Sequence, residues 1–173
     1  MIASLVRSTT ETLHSARKAE VGAIFDRLSS LPGGVRLFTG AVCLKAPYFG
    51  SIKPLVVALR PGYCEVRVKD RRSVRNHLGT VHAIAMCNMA ELAGGLMTDV
   101  SIPSGHRWIP KGMTVEYLAK ARGELRAVAS MEEGERPSFD QACDLPIEVA
   151  VLDSSETTVM RATITMRVAP KPE

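Results

Sequence analysis

The most constraining stretch of this sequence is the run from Thr80 to Met97, TVHAIAMCNMAELAGGLM, which is apolar almost all round. Ala83, Met86, Ala90, Ala93 and Met97 follow helical spacing, and most residues between them are apolar too. A helix without a polar face is enclosed by protein rather than laid on a surface. Ala83, Ala85, Ala90, Ala93, Gly94 and Gly95 keep its profile small, so neighbouring backbone can approach closely. The rest of the chain must therefore supply a wrapping.

Strand patterns on both sides supply it. Leu55 to Arg60 is an apolar strand, Pro61-Gly62 a turn, and Tyr63 to Asp70 alternates, with Cys64, Val66 and Val68 inward and Glu65, Arg67 and Lys69 outward. After the helix come four more runs: Gly112 to Lys120, Gly123 to Met131, Ala142 to Leu152 and Thr157 to Val168. In the last, Met160, Ala162, Ile164, Met166 and Val168 share one face. Asp153 to Glu156 reads as a hairpin turn, and Glu132 to Pro137 and His106-Arg107-Trp108 as exposed loops. The Pro170-Lys171-Pro172 tail reads as loose. One buried helix among six strands predicts an α+β fold, with an antiparallel sheet wrapped around that helix.

The N-terminal part differs in period. Ser8 and Glu11 form a capping-box pattern, and Leu13, Val21, Ile24, Phe25, Leu28 and Leu31 recur at helical spacing up to Pro32-Gly33-Gly34. A second helix is expected over Val35 to Lys45, with Leu37, Phe38, Ala41 and Val42 on one face, followed by an ordered loop over Pro47 to Pro54. Residues 1–46 thus read as a helical extension and 47–173 as the main domain of one structural unit.

Composition narrows the class. With 46% hydrophobic and 23% charged residues, the 173-residue chain is no disordered segment. Cys43, Cys64, Cys87 and Cys143 are far apart, with no CxxC pair, and read as reduced core thiols. The start, MIASLVRSTTETLHSARK, lacks the apolar core of a secretion signal, and no apolar run is long enough to span a membrane, so the expected location is the cytoplasm. The charge balance is 22 − 18 = +4, which favours anionic partners. Only 5% of residues are aromatic, which argues against a single-stranded nucleic-acid binder.

The chemistry concentrates in Asn76-His77-Leu78-Gly79-Thr80-Val81-His82 and in Glu91. Polar residues stand here where a helix begins, and a helix start offers free N–H groups and a positive dipole end to a developing oxyanion. Gly79 gives the entering backbone freedom to turn. Glu91 is the odd residue in an apolar helix. Such a carboxylate is a candidate base or nucleophile, or else an ion-pair partner at a buried interface. Nine residues separate His82 from Glu91, about 13 Å along the axis and roughly opposite faces, so the two would meet only across a symmetric dimer. His77 and His82 lack the third convergent ligand and the helix spacing that a metal site needs, so none is expected.

Asn76-x-x-Gly79-x-x-His82 with an acid nine positions later resembles the motif of the PaaI-like hotdog-fold acyl-CoA thioesterases. Thr114-Val115-Glu116-Tyr117-Leu118-Ala119-Lys120-Ala121-Arg122-Gly123 is similar to the family's next strand pair. The likeness covers Leu55 to Val168, and the added helices resemble a thioesterase-like branch of uncharacterised function. Ala83 and Ile84 stand where the family commonly has Gly, Gly95 where a Ser or Thr is frequent, and Lys120 where Pro is usual. The resemblance implies a hotdog fold and roles for particular residues. His82 and the Ala83 N–H would polarise the thioester carbonyl. Asn76 would hold substrate or water, and Glu91 of a partner subunit would act as base or nucleophile. Coenzyme A would enter as part of the substrate, not as a cofactor. Its phosphates, and the pocket for its acyl chain, would draw on Lys120, Arg75 with Arg71 and Arg72, Tyr48, Phe49, Leu37 and Phe38. The implied assembly is a homodimer or tetramer. The alternative is a non-catalytic acyl-CoA or lipid-binding hotdog protein; a hotdog hydratase ranks last, because its His/acid spacing differs.

Overall fold

Alternation, turn residues and one apolar helix set the architecture that follows. The computed structural model describes residues 21–132 and 137–171. The Ser8 cap, Leu13, most of the Glu132 to Pro137 loop and the end of the tail lie outside the described residues. Residues 21–29 are helical (α1), followed by α2, Gly34–Lys45. Strands β1, Leu55–Arg60, and β2, Tyr63–Val68, form the first hairpin. Helix α3, Ala83–Ser101, comes next, and then β3, His106–Tyr117, β4, Leu125–Ser130, β5, Cys143–Leu152, and β6, Thr158–Pro170.

The six strands form one antiparallel sheet in the order β1-β2-β4-β5-β6-β3. The expected in/out sets hold in β2 and β6: Cys64, Val66 and Val68 are buried, as are Met160, Ala162, Ile164, Met166 and Val168. Glu65, expected outside, is also buried, covered by Tyr63, Arg67 and Arg126, all of which donate to its carboxylate. Burial pushes its carboxyl upward, but the Arg67 hydrogen bond and the Arg67 and Arg126 charges outweigh that and hold it below the ordinary range.

Helix α3 crosses the concave face of the sheet. Met89, Ala90, Ala93 and Met97 are completely buried. A Cβ on Gly94 would lie 3.1 Å from Ile164 Cδ1, so the glycine sets how near β6 can come. Proline at 103, just beyond the Ile102 C-cap, bars continuation of the helix.

Helices α1 and α2 belong to the same core. Phe25 and Phe38 are buried in it and stack edge to face, ring centres 5.1 Å apart. Thr39 is buried, donates to Val35 O at 2.8 Å and accepts the Val56 N–H at 3.0 Å. One hydroxyl therefore stitches α2 to the edge of β1.

Several sequence expectations are corrected. Leu37 is 64% exposed, because the buried face of α2 runs through Phe38, Thr39 and Val42 instead. Pro47–Ile52 is a 3₁₀ helix rather than a loop, with Pro at its start, where no N–H is needed. His106-Arg107-Trp108 is the beginning of β3, not a loop, and pairs with the end of β6, so Pro170 is in a strand. Of the four cysteines only Cys64 is fully buried, which pushes its thiol far up; the others are half-buried and all are free.

Candidate functional site

The loop before α3 is closed on itself. Asn76 Oδ1 accepts from the N–H groups of Leu78, at 3.0 Å, and Thr80, at 3.2 Å, while Nδ2 donates to Thr80 Oγ1 at 2.9 Å. The Asn76 N–H donates to Thr80 O, and Gly79 N–H to Asn76 O. Gly79 sits at φ +73°, a backbone state that a side chain would strain. The loop's exit is pinned where the Val81 N–H donates to Ala121 O and the His82 N–H to Val74 O. Its entry is pinned by Asp70, whose carboxylate takes Arg75 Nε at 2.6 Å and the Gly123 N–H at 3.1 Å. The Arg75 hydrogen bond holds the Asp70 carboxyl below its ordinary range; partial burial opposes it, and the Gly123 N–H helps. Asn76 thus shapes the loop with its carboxamide, and Arg75 spends its guanidinium on Asp70.

His82 is the N-cap of α3. Its Nδ1 accepts the Ile84 N–H at 3.1 Å, so the neutral ring carries its proton on Nε2, a donor. The His82 carbonyl takes the Ala85 and Met86 N–H groups. The Ala83 N–H is left without an acceptor among the described residues. A free donor at the positive end of a 19-residue helix suits a carbonyl oxygen gaining negative charge.

Glu91 lies two and a half turns further on. It is half-buried and makes no hydrogen bond or ion pair among the described residues. It lines a cavity of about 510 Å³ between α3 and the N-terminal helices, a size suited to a small ligand. The cavity's other polar groups are Lys45 and Asp99. Asp99 is engaged, because Trp108 Nε1 donates to its Oδ1 at 3.0 Å. Asn76, Gly79, His82 and Ala83 therefore cluster at the helix start. Glu91 and Phe49 meet in the cavity, about 13 Å away along one straight helix. Tyr48, at 71% exposure, and Lys120, also exposed, do not line the cavity.

Sequence reasoning missed Trp108, Asp99 and Lys45. Gly95 was the available signal. A Cβ there would fall 2.8 Å from Trp108 Cη2, so the residue stands where the indole needs room. The helix start is also tied to β3, through Cys87 Sγ and Tyr117 Oη, 3.3 Å apart. That bond, with some burial, pushes the Tyr117 phenol up to about 12. Among the described residues no three His, Cys, Asp or Glu side chains converge as a metal site would require, and no helix is long and apolar enough to cross a membrane.

A six-stranded antiparallel sheet wrapped on one long helix defines a hotdog-fold protein. The chain belongs to the family described as domain of unknown function DUF4442, which matches residues 34–168. No curated protein matches its sequence. A structural-genomics crystal structure, APC5556, is 48% identical, with a TM-score of 0.75 over 87% of this chain and 99% of that one. PA5026 of Pseudomonas aeruginosa, described as a probable thioesterase, shares the fold at 21% identity, with a TM-score of 0.68 over 75% of this chain and 91% of its own. BH2602 of Bacillus halodurans, solved with CoA, is 25% identical, with a TM-score of 0.53 over 60% of this chain and 66% of its own.

Proposed function

We propose that this protein is an acyl-CoA thioesterase whose site is shared between two subunits. The observation that carries this is Glu91. Of the two carboxylates lining an apolar cavity, Asp99 is held by Trp108, and Glu91 alone is unengaged among the described residues. In the proposed reaction the thioester carbonyl oxygen receives the Ala83 N–H, with His82 Nε2–H beside it. The partner subunit's Glu91 takes a proton from water, whose oxygen bonds to the carbonyl carbon. The tetrahedral intermediate collapses, the C–S bond breaks, and the sulfur leaves as thiolate and takes up a proton.

The partner is required because His82 and Glu91 face apart on one helix. An interface is available. Among the described residues the 12-residue strand β3 ends the sheet with one edge unpaired, and Ile109 and Tyr117 on it, with Leu118 just after it, are half or more exposed. Leu78 and Ile84, at the helix start, are exposed as well. A bare edge flanked by apolar side chains suits pairing with a second copy. The CoA held by BH2602 supports a coenzyme A ester as the substrate class. Lys45 makes no ion pair among the described residues and adds positive charge at the cavity.

Glu91→Gln keeps the side chain's shape and removes the base. Hydrolysis across a panel of acyl-CoA thioesters should fall at least about 100-fold, the scale of a general base, with an unchanged melting temperature. Full activity in this variant would refute the role of Glu91. Tight acyl-CoA binding with no hydrolysis by the wild type would favour a binding protein instead.

A further inference from the structure

The cavity has a shape, and that shape names the acyl group. Eight of its lining residues come from α1, α2 and the 3₁₀ turn after them, and a ninth, Ala46, joins the last two. Its floor is α3, from Glu91 to Asp99. The two ends differ. Asn88, one turn before Glu91, donates to Ser51 Oγ at 3.4 Å, which sets the 3₁₀ turn, with Phe49 and neighbouring Lys45, at the Glu91 end. At the other end the Trp108 indole bonds to Asp99 and lies on Gly95, while α1 comes down at Gly22, whose Cβ position is 3.9 Å from Val100. The cavity is thus a slot with the unengaged carboxylate at one end and an indole across the other.

We infer that this slot takes the acyl chain of the substrate, that the chain is of medium length, and that Trp108 with α2 sets the limit. This rests on the thioesterase reading for the position of the ester, at the Glu91 end. From Glu91 to Asp99 is eight helical steps, about 12 Å. An extended alkyl chain advances roughly 1.25 Å per carbon, given C–C bonds near 1.5 Å and tetrahedral angles. The slot therefore holds about eight to ten carbons. Past that the chain meets the indole. At the slot's far end Asp99 Oδ1 is already taken by the indole N–H. Gly95 belongs to the same device: only a residue without a Cβ lets the indole lie on the helix.

The test separates binding from turnover. Saturated acyl-CoAs from four to sixteen carbons are titrated by calorimetry into Glu91→Gln protein, and kcat/KM is measured on the wild type with the same series. Affinity should rise about fourfold per methylene, equivalent to about 0.8 kcal/mol, up to eight to ten carbons, and then level or fall. In Trp108→Ala the break should move to longer chains. In Val42→Phe, which fills the slot from α2, it should move to shorter ones, and this variant keeps the test open should the first not fold. Affinity indifferent to chain length, or a break that neither substitution moves, would overturn the inference. Length-dependent binding with shifted breaks but no hydrolysis would leave the inference standing and refute the thioesterase reading instead.

Discussion

Single atoms decide two contacts in this protein. The missing Cβ of Gly95 makes room for Trp108, and the hydroxyl of Thr39 joins α2 to β1. The second can be measured. Thr39→Val preserves shape but leaves the buried Val56 N–H without its acceptor. It should lower unfolding stability by about 1–3 kcal/mol, read as the shift in a urea midpoint, while Thr39→Ser should stay near wild type. Glu91 and His82 were legible in the sequence, because a charge in an apolar helix and a polar helix start each need a reason. Trp108 was not. Pro103-Ser104-Gly105 before it signals a turn, and on an edge strand so exposed, little alternation marks where the strand begins. Asn76 was legible as important; its partners are backbone N–H groups and the Thr80 hydroxyl, all within four residues, and sequence spacing does not say which way a carboxamide turns.

At the scale of elements, the strands were read from alternation and the central helix from its lack of a polar face, and both readings locate the elements to within a few residues except for β3, which begins six residues before the expected Gly112. The N-terminal helices were harder. Helix α2 is apolar on both sides, Phe38 and Val42 inward but Leu37 and Leu44 outward, so periodicity alone picks no face. The loop from Asp70 to His82 carries a pH prediction. Asp70 is held below its ordinary range when folded, so the unfolded chain binds this proton first as pH falls. The Asp70–Arg75 contribution is complete above about pH 4, the unperturbed carboxylate value, and is lost as pH falls through the lower folded value. Denaturant midpoints measured between pH 2.5 and pH 6, about that value, should drop more steeply for wild type than for Asp70→Asn. Parallel curves would remove Asp70 from the account of the loop.

The whole molecule raises the question of which chain completes which site. On the proposed reading, a Glu91→Gln chain has an intact helix start and a His82→Ala chain an intact base, so each homodimer is inactive. Co-refolding equal amounts makes half of the dimers mixed, each with one complete site of two, and about one quarter of wild-type activity should return. No recovery would mean that each chain works alone. The stitch between Thr39 and β1 has a further consequence, for the order of events. Because α2 is fastened to the sheet, its part of the slot's roof belongs to the core and is not a hinged lid, and Trp108 lies across the far end. The doorway is then at the Glu91 end. On the proposed reading the acyl tail enters first and the ester last, and after cleavage coenzyme A, standing in the doorway, departs before the acid can back out. The free acid, holding the slot alone, then becomes the natural competitor of incoming substrate.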